Sequence, residues 1–239
     1  MTSTTQIIDA TWPAAAIQTQ GPWTLRRGDG AGSRVSAATA TGAVTPDDLD
    51  QAEAAMRAMG QTPLFMIRPQ DATLDHDLEV RGYRILDPVN VWACPVADLL
   101  APMPSLTVFP VWEPLAVMNE IWDQGGIGPA RRAVMDRAAG PKTALLGRAD
   151  DAPVGAAFVA VAGDTAMLHA LEILPQARRQ GLGGWMMRGA ALWAQAQGAT
   201  RMTVLCTQAN DAANRLYSSL GMCVVDQYHY RTPHKEETT

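Results

Sequence analysis

Two stretches of this chain, about 139 residues apart, spell the same succession of elements, and that echo constrains the fold more than any other feature. Gly60–Ile67 (GQTPLFMI) and Gly198–Leu205 (GATRMTVL) each run from a glycine into an apolar strand. A short helical pattern follows each, then a glycine (Arg81-Gly82-Tyr83; Leu220-Gly221-Met222), then strand-like endings at Val89–Trp92 and Tyr228–Arg231. A repeat that keeps the order helix, strand, helix, glycine, strand argues for two copies of one fold. The length of 239 residues suits two small domains better than one.

Local signals fill in each copy. Gly28-Asp29-Gly30 and Gly32 separate runs at Trp23–Arg26 and Arg34–Ser36, which read as hairpin strands. Thr45-Pro46-Asp47-Asp48 reads as a helix start, with Thr45 as cap, Pro46 in the first turn and two carboxylates at the positive dipole end. The pattern predicts a helix over 46–59, a strand over 64–68, a helix near 71–80 and strands over 83–87 and 89–94. Two prolines in Ala101-Pro102-Met103-Pro104 are hostile to helix and central strand and mark a linker. The division predicted is 1–101, 104–231 and a polar tail over 232–239. In the second copy, helices are expected at 113–122, 129–139, 182–197 and 210–219. Strands are expected at 143–149, 153–162, 165–173, 202–206 and 222–231. The fold class is therefore α/β (α+β), with a mixed, mostly antiparallel twisted sheet flanked by helices in each copy.

Composition narrows function by exclusion. A net charge of −5 offers no attraction to nucleic acid or to an anionic membrane, so neither partner is expected. No stretch reaches the ~20 apolar residues that span a bilayer, and MTSTTQIIDATWPAAA lacks the basic and apolar regions of a signal peptide. A cytoplasmic protein is the expectation. Cys94, Cys206 and Cys223 lack metal-ligand spacing and read as small buried hydrophobes, and no metal is expected.

The chemistry gathers at Pro175–Met187 (PQARRQGLGGWMM). An apolar strand, Leu171–Leu174, leads into Arg178-Arg179-Gln180-Gly181-Leu182-Gly183-Gly184, and a helix with an apolar stripe leads out. A pyrophosphate can be held without metal by converging backbone N–H groups at a helix start, where the dipole favours negative charge. Glycines let ligand and backbone approach closely, and the two arginines add positive potential. Downstream stands Asn210-Asp211-Ala212-Ala213-Asn214-Arg215-Leu216-Tyr217, closed by Gly221-Met222.

The two segments together resemble the signatures of the GNAT superfamily of acyl-CoA N-acetyltransferases. Arg178, Gly181 and Gly183 match its (Gln/Arg)-x-x-Gly-x-(Gly/Ala) loop. The second segment is similar to its Asn-x-x-Ala-x-x-Leu-Tyr…Gly-Phe helix, with Met222 in place of the aromatic. The resemblance is good from about 140 to 231, weak over 104–140 and indirect before that. It implies acetyl-CoA as cosubstrate and a small-molecule amine, or an amino group of a larger molecule, as acceptor. Leu171, Ile173 and Leu174 would pair through their backbone with the pantetheine arm, and residues 178–184 would hold the pyrophosphate. Asn210 would hydrogen-bond the CoA side, Ala213 belongs to the same cofactor-binding set, and Tyr217 would protonate the departing thiolate. A base is also needed, because amines are mostly protonated at neutral pH. Leu168-His169-Ala170-Leu171 resembles the strand of arylalkylamine N-acetyltransferases that carries a catalytic histidine, which makes His169 the first candidate. Glu172 is the second; plain strand alternation places it on the opposite face unless a bulge intervenes.

The first copy lacks a counterpart of the loop. Gly42–Asp48 (GAVTPDD) has no arginine and puts carboxylates where phosphate would sit, and Leu78 stands at the position of Tyr217. It reads as a degenerate GNAT-like copy that pairs with the active one inside a monomer, as an internal pseudo-dimer. The alternatives are a non-catalytic CoA or acyl-CoA sensor, and a module without a CoA site.

Overall fold

The computed structural model describes residues 2–234. In chain order its helices are α1 (Thr4–Thr11), α2 (Pro46–Ala58), α3 (Ala72–Val80), α4 (Val96–Leu99), α5 (Ala116–Gln124), α6 (Pro129–Arg137), α7 (Leu182–Ala196) and α8 (Asp211–Ser219). Its first strands are β1 (Ala16–Gln20), β2 (Trp23–Arg27), β3 (Thr39–Ala40), β4 (Phe65–Ile67) and β5 (Tyr83–Pro95). Then come β6 (Val108–Val111), β7 (Lys142–Ala149), β8 (Ala152–Ala162), β9 (Thr165–Ile173), β10 (Arg201–Thr207) and β11 (Cys223–Pro233). This is a mixed α/β fold.

Local chemistry explains the helix starts. Ser3 and Gln6 form a reciprocal capping box at α1, and Thr45 with Asp48 forms another at α2, where Pro46 takes the first helical position. The strand expected at Arg34–Ser36 is instead part of a 3₁₀ turn, Ser33–Val35. There Ser33 O accepts from two backbone N–H groups and Ser36 Oγ donates to Gly32 O, so local bonds replace a ladder. The runs 83–87 and 89–94 merge into β5, bent at Asp87, which has a positive φ of 45°. β11 reaches Pro233, and the remainder of the expected tail, beyond His234, lies outside the described residues.

The chain forms two compact units, and neither is contiguous in sequence. The first gathers Met1–Pro13, Val91–Cys206 and Asn210–Val225; the second gathers Ala14–Asn90, Thr207–Ala209 and Asp226–Thr239. β5 and β11 each pass from one unit to the other, so a contiguous split near 101–104 does not describe them.

In the first unit the strand order is β11-β5-β10-β9-β8-β7-β6, represented at its first two places by Cys223–Val225 and Val91–Pro95. β6 to β9 are mutually antiparallel neighbours, and β10 runs parallel to β9. α7 packs against β6–β9, while α1 and α5 pack against β8 and β9. The core includes Phe158, Trp122, Met118, Met186 and Met187, all essentially inaccessible.

In the second unit β1, β2 and β3 form an antiparallel three-stranded sheet, and β4, β11 and β5 stand in that order in a separate sheet, with β4 antiparallel to β11. Trp23, Leu49, Met56, Phe65, Leu74 and Leu78 fill its core. Arg231 is buried and bonds Asp75 through Nε at 2.7 Å and Tyr83 O through a terminal nitrogen at 2.9 Å; His229 Nε2 lies 2.8 Å from the same Asp75 oxygen. Burial would raise the Asp75 pKa, but the bonds from Arg231 and His229 outweigh it and hold the carboxyl below its usual value.

Two stretches of the chain repeat one order: three antiparallel strands, helix, strand, helix, then a long strand (β1-β2-β3-α2-β4-α3-β5; β7-β8-β9-α7-β10-α8-β11). Side-chain pairs repeat as well. Trp92 Nε1 donates to Asn214 Oδ1 at 3.0 Å in the first unit, and Arg231 Nε donates to Asp75 Oδ1 at 2.7 Å in the second. Each residue of the first pair has its counterpart at the same offset of about 139 residues, Trp92 with Arg231 and Asp75 with Asn214.

Candidate functional site

The site is built on β9 and β10. Their parallel register runs from Arg201↔Thr165 to Val204↔Leu168 and stops there, although both strands continue. Burial changes at the same break: Thr165–His169 are buried, whereas residues 170–173 are half-exposed. There Ala170 takes a positive φ of 52°, and the register with β8 shifts between Ala156 and Phe158. This is a β-bulge, and it bends the strand and re-aims the side chains from Leu171 onward. The buried Trp122 fixes it, its indole N–H donating to Ala170 O at 2.8 Å.

The bulge decides the relation between the two base candidates. His169 pairs with Phe158 and Glu172 with Ala156, two residues apart on β8, so both side chains lie on one face of the sheet. Simple alternation put them on opposite faces. Their surroundings differ. His169 is buried, stacked on Trp12 with ring centroids 4.8 Å apart, and its Nε2 lies 3.0 Å from Thr11 Oγ1. Thr11 donates its single hydroxyl proton to Ile7 O at 2.7 Å, so it accepts from His169 and the imidazole proton sits on Nε2. Glu172 reaches the part-exposed end of β9, where its carboxylate lies against Gly125 and pairs with Arg178 at 2.8 Å. Arg178 also donates from Nε to Ile173 O at 2.7 Å.

Beyond β9 the chain forms the glycine loop. Leu174 N–H is engaged with Val154 O at 2.8 Å, so of the strand's expected backbone donors this one is already used. Arg179 has a positive φ of 64° and Gly181 one of 86°, with Gln180 between them outside that region. Alternating hands of this kind turn successive N–H groups into a concave anion nest. Gly181 is the N-cap of α7, and no side chain caps that end. The first N–H groups of a helix have no intrahelical partner, so those of Leu182 and Gly183 complete the nest together with the dipole. Leu182 is buried. A Cβ on Gly183 would meet Leu216 Cδ2 at 3.0 Å, whereas one on Gly184 has open space out to 3.9 Å. Gly183 therefore serves the contact between α7 and α8. Gln180 donates to Gln176 O at 3.1 Å.

α8 carries the rest. Asn210 Oδ1 caps it, accepting from Ala213 N at 3.1 Å, which commits that oxygen to the helix start. Asn210, Asn214 and Tyr217 fall at i, i+4 and i+7, along one face. Tyr217 is buried, and the Trp92 ring lies 6.3 Å from its own at 52°. Thus the structure gathers Glu172 with Arg178 and Ile173, and Tyr217 with Trp92 and Asn214, while His169 belongs to a packed cluster with Trp12 and Phe158.

Residues 113–222 match the model of the acetyltransferase (GNAT) family. A GCN5-related N-acetyltransferase from Kribbella flavida superposes with a TM-score of 0.72 over 97% of this chain and 94% of its own, at 21% identity. The fold is that of the GNAT acetyltransferases. A functionally unknown conserved protein from Staphylococcus epidermidis is equally similar in structure (TM-score 0.72, 12% identity, 97% of this chain and 100% of its own). A tandem GNAT protein from the clavulanic acid biosynthesis pathway matches with a TM-score of 0.58 at 13% identity, covering 82% of this chain and 74% of its own. No curated protein matches this sequence.

Within the GNAT fold the second unit offers an instructive contrast. The loop before α2 is closed by its own residues: Asp48 accepts from Thr45 N at 2.9 Å and from its hydroxyl at 2.6 Å. Those bonds hold the Asp48 carboxyl below its usual pKa. The slot between β3 and β4 is strapped by Arg68, which donates to Ala40 O at 2.5 Å and pairs with Asp71 at 2.7 Å. Leu78, at the position of Tyr217, is in the core. Burial pushes the Cys206 thiol at the end of β10 up to about 11, and Cys94 likewise, so both are protonated at neutral pH. Cys223 is exposed, contrary to the expectation of a third buried cysteine. Among the described residues no cluster could hold a metal, and no helix is long and apolar enough to cross a membrane.

Sequence reasoning missed Trp92, Asn214 and Trp122. Asn214 stands inside the α8 motif, and its i, i+4, i+7 spacing with Asn210 and Tyr217 was the available signal. The two tryptophans act through contacts that no local pattern announces.

Proposed function

We propose that the chain is an acetyl-CoA-dependent N-acetyltransferase acting on a primary amine of a small molecule or larger acceptor. The observation that carries this is the nest at Arg179–Gly181 running into the uncapped start of α7, beside a β9 edge that leaves its ladder with β10 after Leu168. The residues present fit a CoA-type ligand: backbone donors and the Arg179 guanidinium for the pyrophosphate, and a part-exposed strand edge for the pantetheine amide groups, while Arg178 is engaged with Glu172 and Ile173 O. When bound, acetyl-CoA supplies the activated acyl group.

The surroundings of this chain's own residues support the following roles. Tyr217 is the proton donor for the sulfur. Glu172 is the leading base, since it lies on the part-exposed end of β9 and its carboxylate can take a proton from an incoming ammonium directly or through water. His169 remains the second candidate; it is buried between Trp12 and Phe158, with Nε2 bonded to Thr11. Protonated, buried thiols at Cys206 and Cys94 support direct transfer to the amine over a cysteine relay. The second unit, with its self-capped α2 and Arg68 strap, is a degenerate copy that neither binds CoA nor catalyses, and the chain works in the cytoplasm as a monomer.

The test is a library of primary amines incubated with acetyl-CoA and the protein, read by release of free thiol. Turnover of at least one amine, abolished by denaturing the protein, is the expected outcome. Tight CoA binding with no turnover of any amine would favour a sensor.

A further inference from the structure

The residue that deepens this reading lies far from the motifs. We infer that Trp92, delivered by β5, is a positioning residue for Tyr217; the inference rests on the proposed acetyltransferase only for the chemical role of that tyrosine.

Trp92 precedes Asn214 by 122 residues, yet both belong to the first unit, which takes in Val91–Pro95 and α8. Its indole does two things there. Its N–H donates to Asn214 Oδ1 at 3.0 Å, and Asn214 Nδ2 passes the restraint on to Asn210 O at 2.9 Å, at the helix start. Its ring, itself buried, packs at 6.3 Å and 52° against the ring of Tyr217, one helical turn further along the same face. A phenol that must reach a sulfur needs its ring plane fixed, because a 1 Å misplacement of a catalytic group can cost about 10²-fold in rate.

The second unit supports reading this pair as a built feature. At the same register Arg231 and Asp75 form the equivalent contact, but as an ion pair. Where the tyrosine is replaced by Leu78, the anchoring pair is charged; where Tyr217 is present, it is a neutral N–H to amide-oxygen bond. That bond orients the helix face without placing a formal charge on either partner next to the phenol.

The experiment uses the full-length chain and two variants, Trp92→Phe, which keeps a ring and loses the N–H, and Asn214→Ala, which removes the acceptor from the other side. With four tyrosines in the sequence, ring-carbon labelling gives a resolvable NMR spectrum, and Tyr217→Phe assigns the resonance. Both variants are expected to shift or broaden the Tyr217 resonance while CoA affinity by calorimetry stays within about twofold. With an amine that is turned over, kcat is expected to fall about tenfold at little-changed KM, and Trp92→Phe should add no further loss in a Tyr217→Phe background. An unmoved Tyr217 resonance in both variants, or an equal loss of kcat with and without the tyrosine hydroxyl, overturns the inference. If no amine is turned over, the resonance alone decides the role of Trp92, and only the acetyltransferase reading falls.

Discussion

Glu172 and His169 share one face of β9 because a single residue, Ala170, is bulged between them. Their neighbours distinguish them. Glu172 is held by an arginine at the half-exposed end of the strand, whereas His169 is a buried aromatic among aromatics with its Nε2 bonded to Thr11. Glu172→Gln should therefore lower kcat by roughly 10²-fold or more, with acetyl-CoA affinity close to wild type. His169→Gln can still donate to Thr11, so its rate should stay within a few-fold. Its stability should drop by about 1–2 kcal/mol through the lost stacking on Trp12. Steady-state kinetics and thermal unfolding of both variants check this. Turnover abolished by His169→Gln at unchanged stability would move the base to the histidine.

Among the elements, the start of α7 does two jobs through different glycines. Gly181 supplies the left-handed turn, and Gly183 lets α8 approach, since a Cβ there would sit 3.0 Å from Leu216. Gly184 has room for a methyl group. Gly183→Val should thus destabilise by about 1–3 kcal/mol from overpacking. Gly184→Ala should be neutral or stabilise by up to about 0.5–1 kcal/mol, because alanine favours the helix. Denaturant unfolding separates the two, and equal effects would mean that α7 meets α8 differently. The loop, α7, α8 and the meander β7–β9 were all legible in the sequence because each is written in local periodicity and turn chemistry. The bulge was not: a positive φ at an alanine depends on Trp122 reaching its carbonyl from α5. Nor was the destination of β5, since alternation marks a strand without saying which neighbour it pairs with. α1 does carry a local sign in the sequence, the Ser3/Gln6 capping box, but one too short to stand out without the sheet it packs on.

For the whole molecule, the repeat of elements and of side-chain pairs supports two copies whose final strands are traded between compact units. A fragment of residues 104–239 would lack Val91–Pro95, which stands beside β10 in the first unit, and would lack the α1 segment against β8 and β9. It should aggregate or self-associate, because sheet edge and apolar surface are left open. The full chain should elute as a monomer on size exclusion. A monomeric, cooperatively unfolding fragment would show that the traded strand is dispensable. The central claim, however, is that the backbone at Arg179–Gly183 holds a pyrophosphate, and isothermal calorimetry with acetyl-CoA tests it most directly. Gly181→Val forces a β-branched residue into a φ of 86° and so distorts the nest. The wild-type chain should bind acetyl-CoA, and Gly181→Val should weaken binding more than about tenfold while still unfolding cooperatively. No binding by the wild-type chain, or unchanged affinity in the variant, would contradict the account.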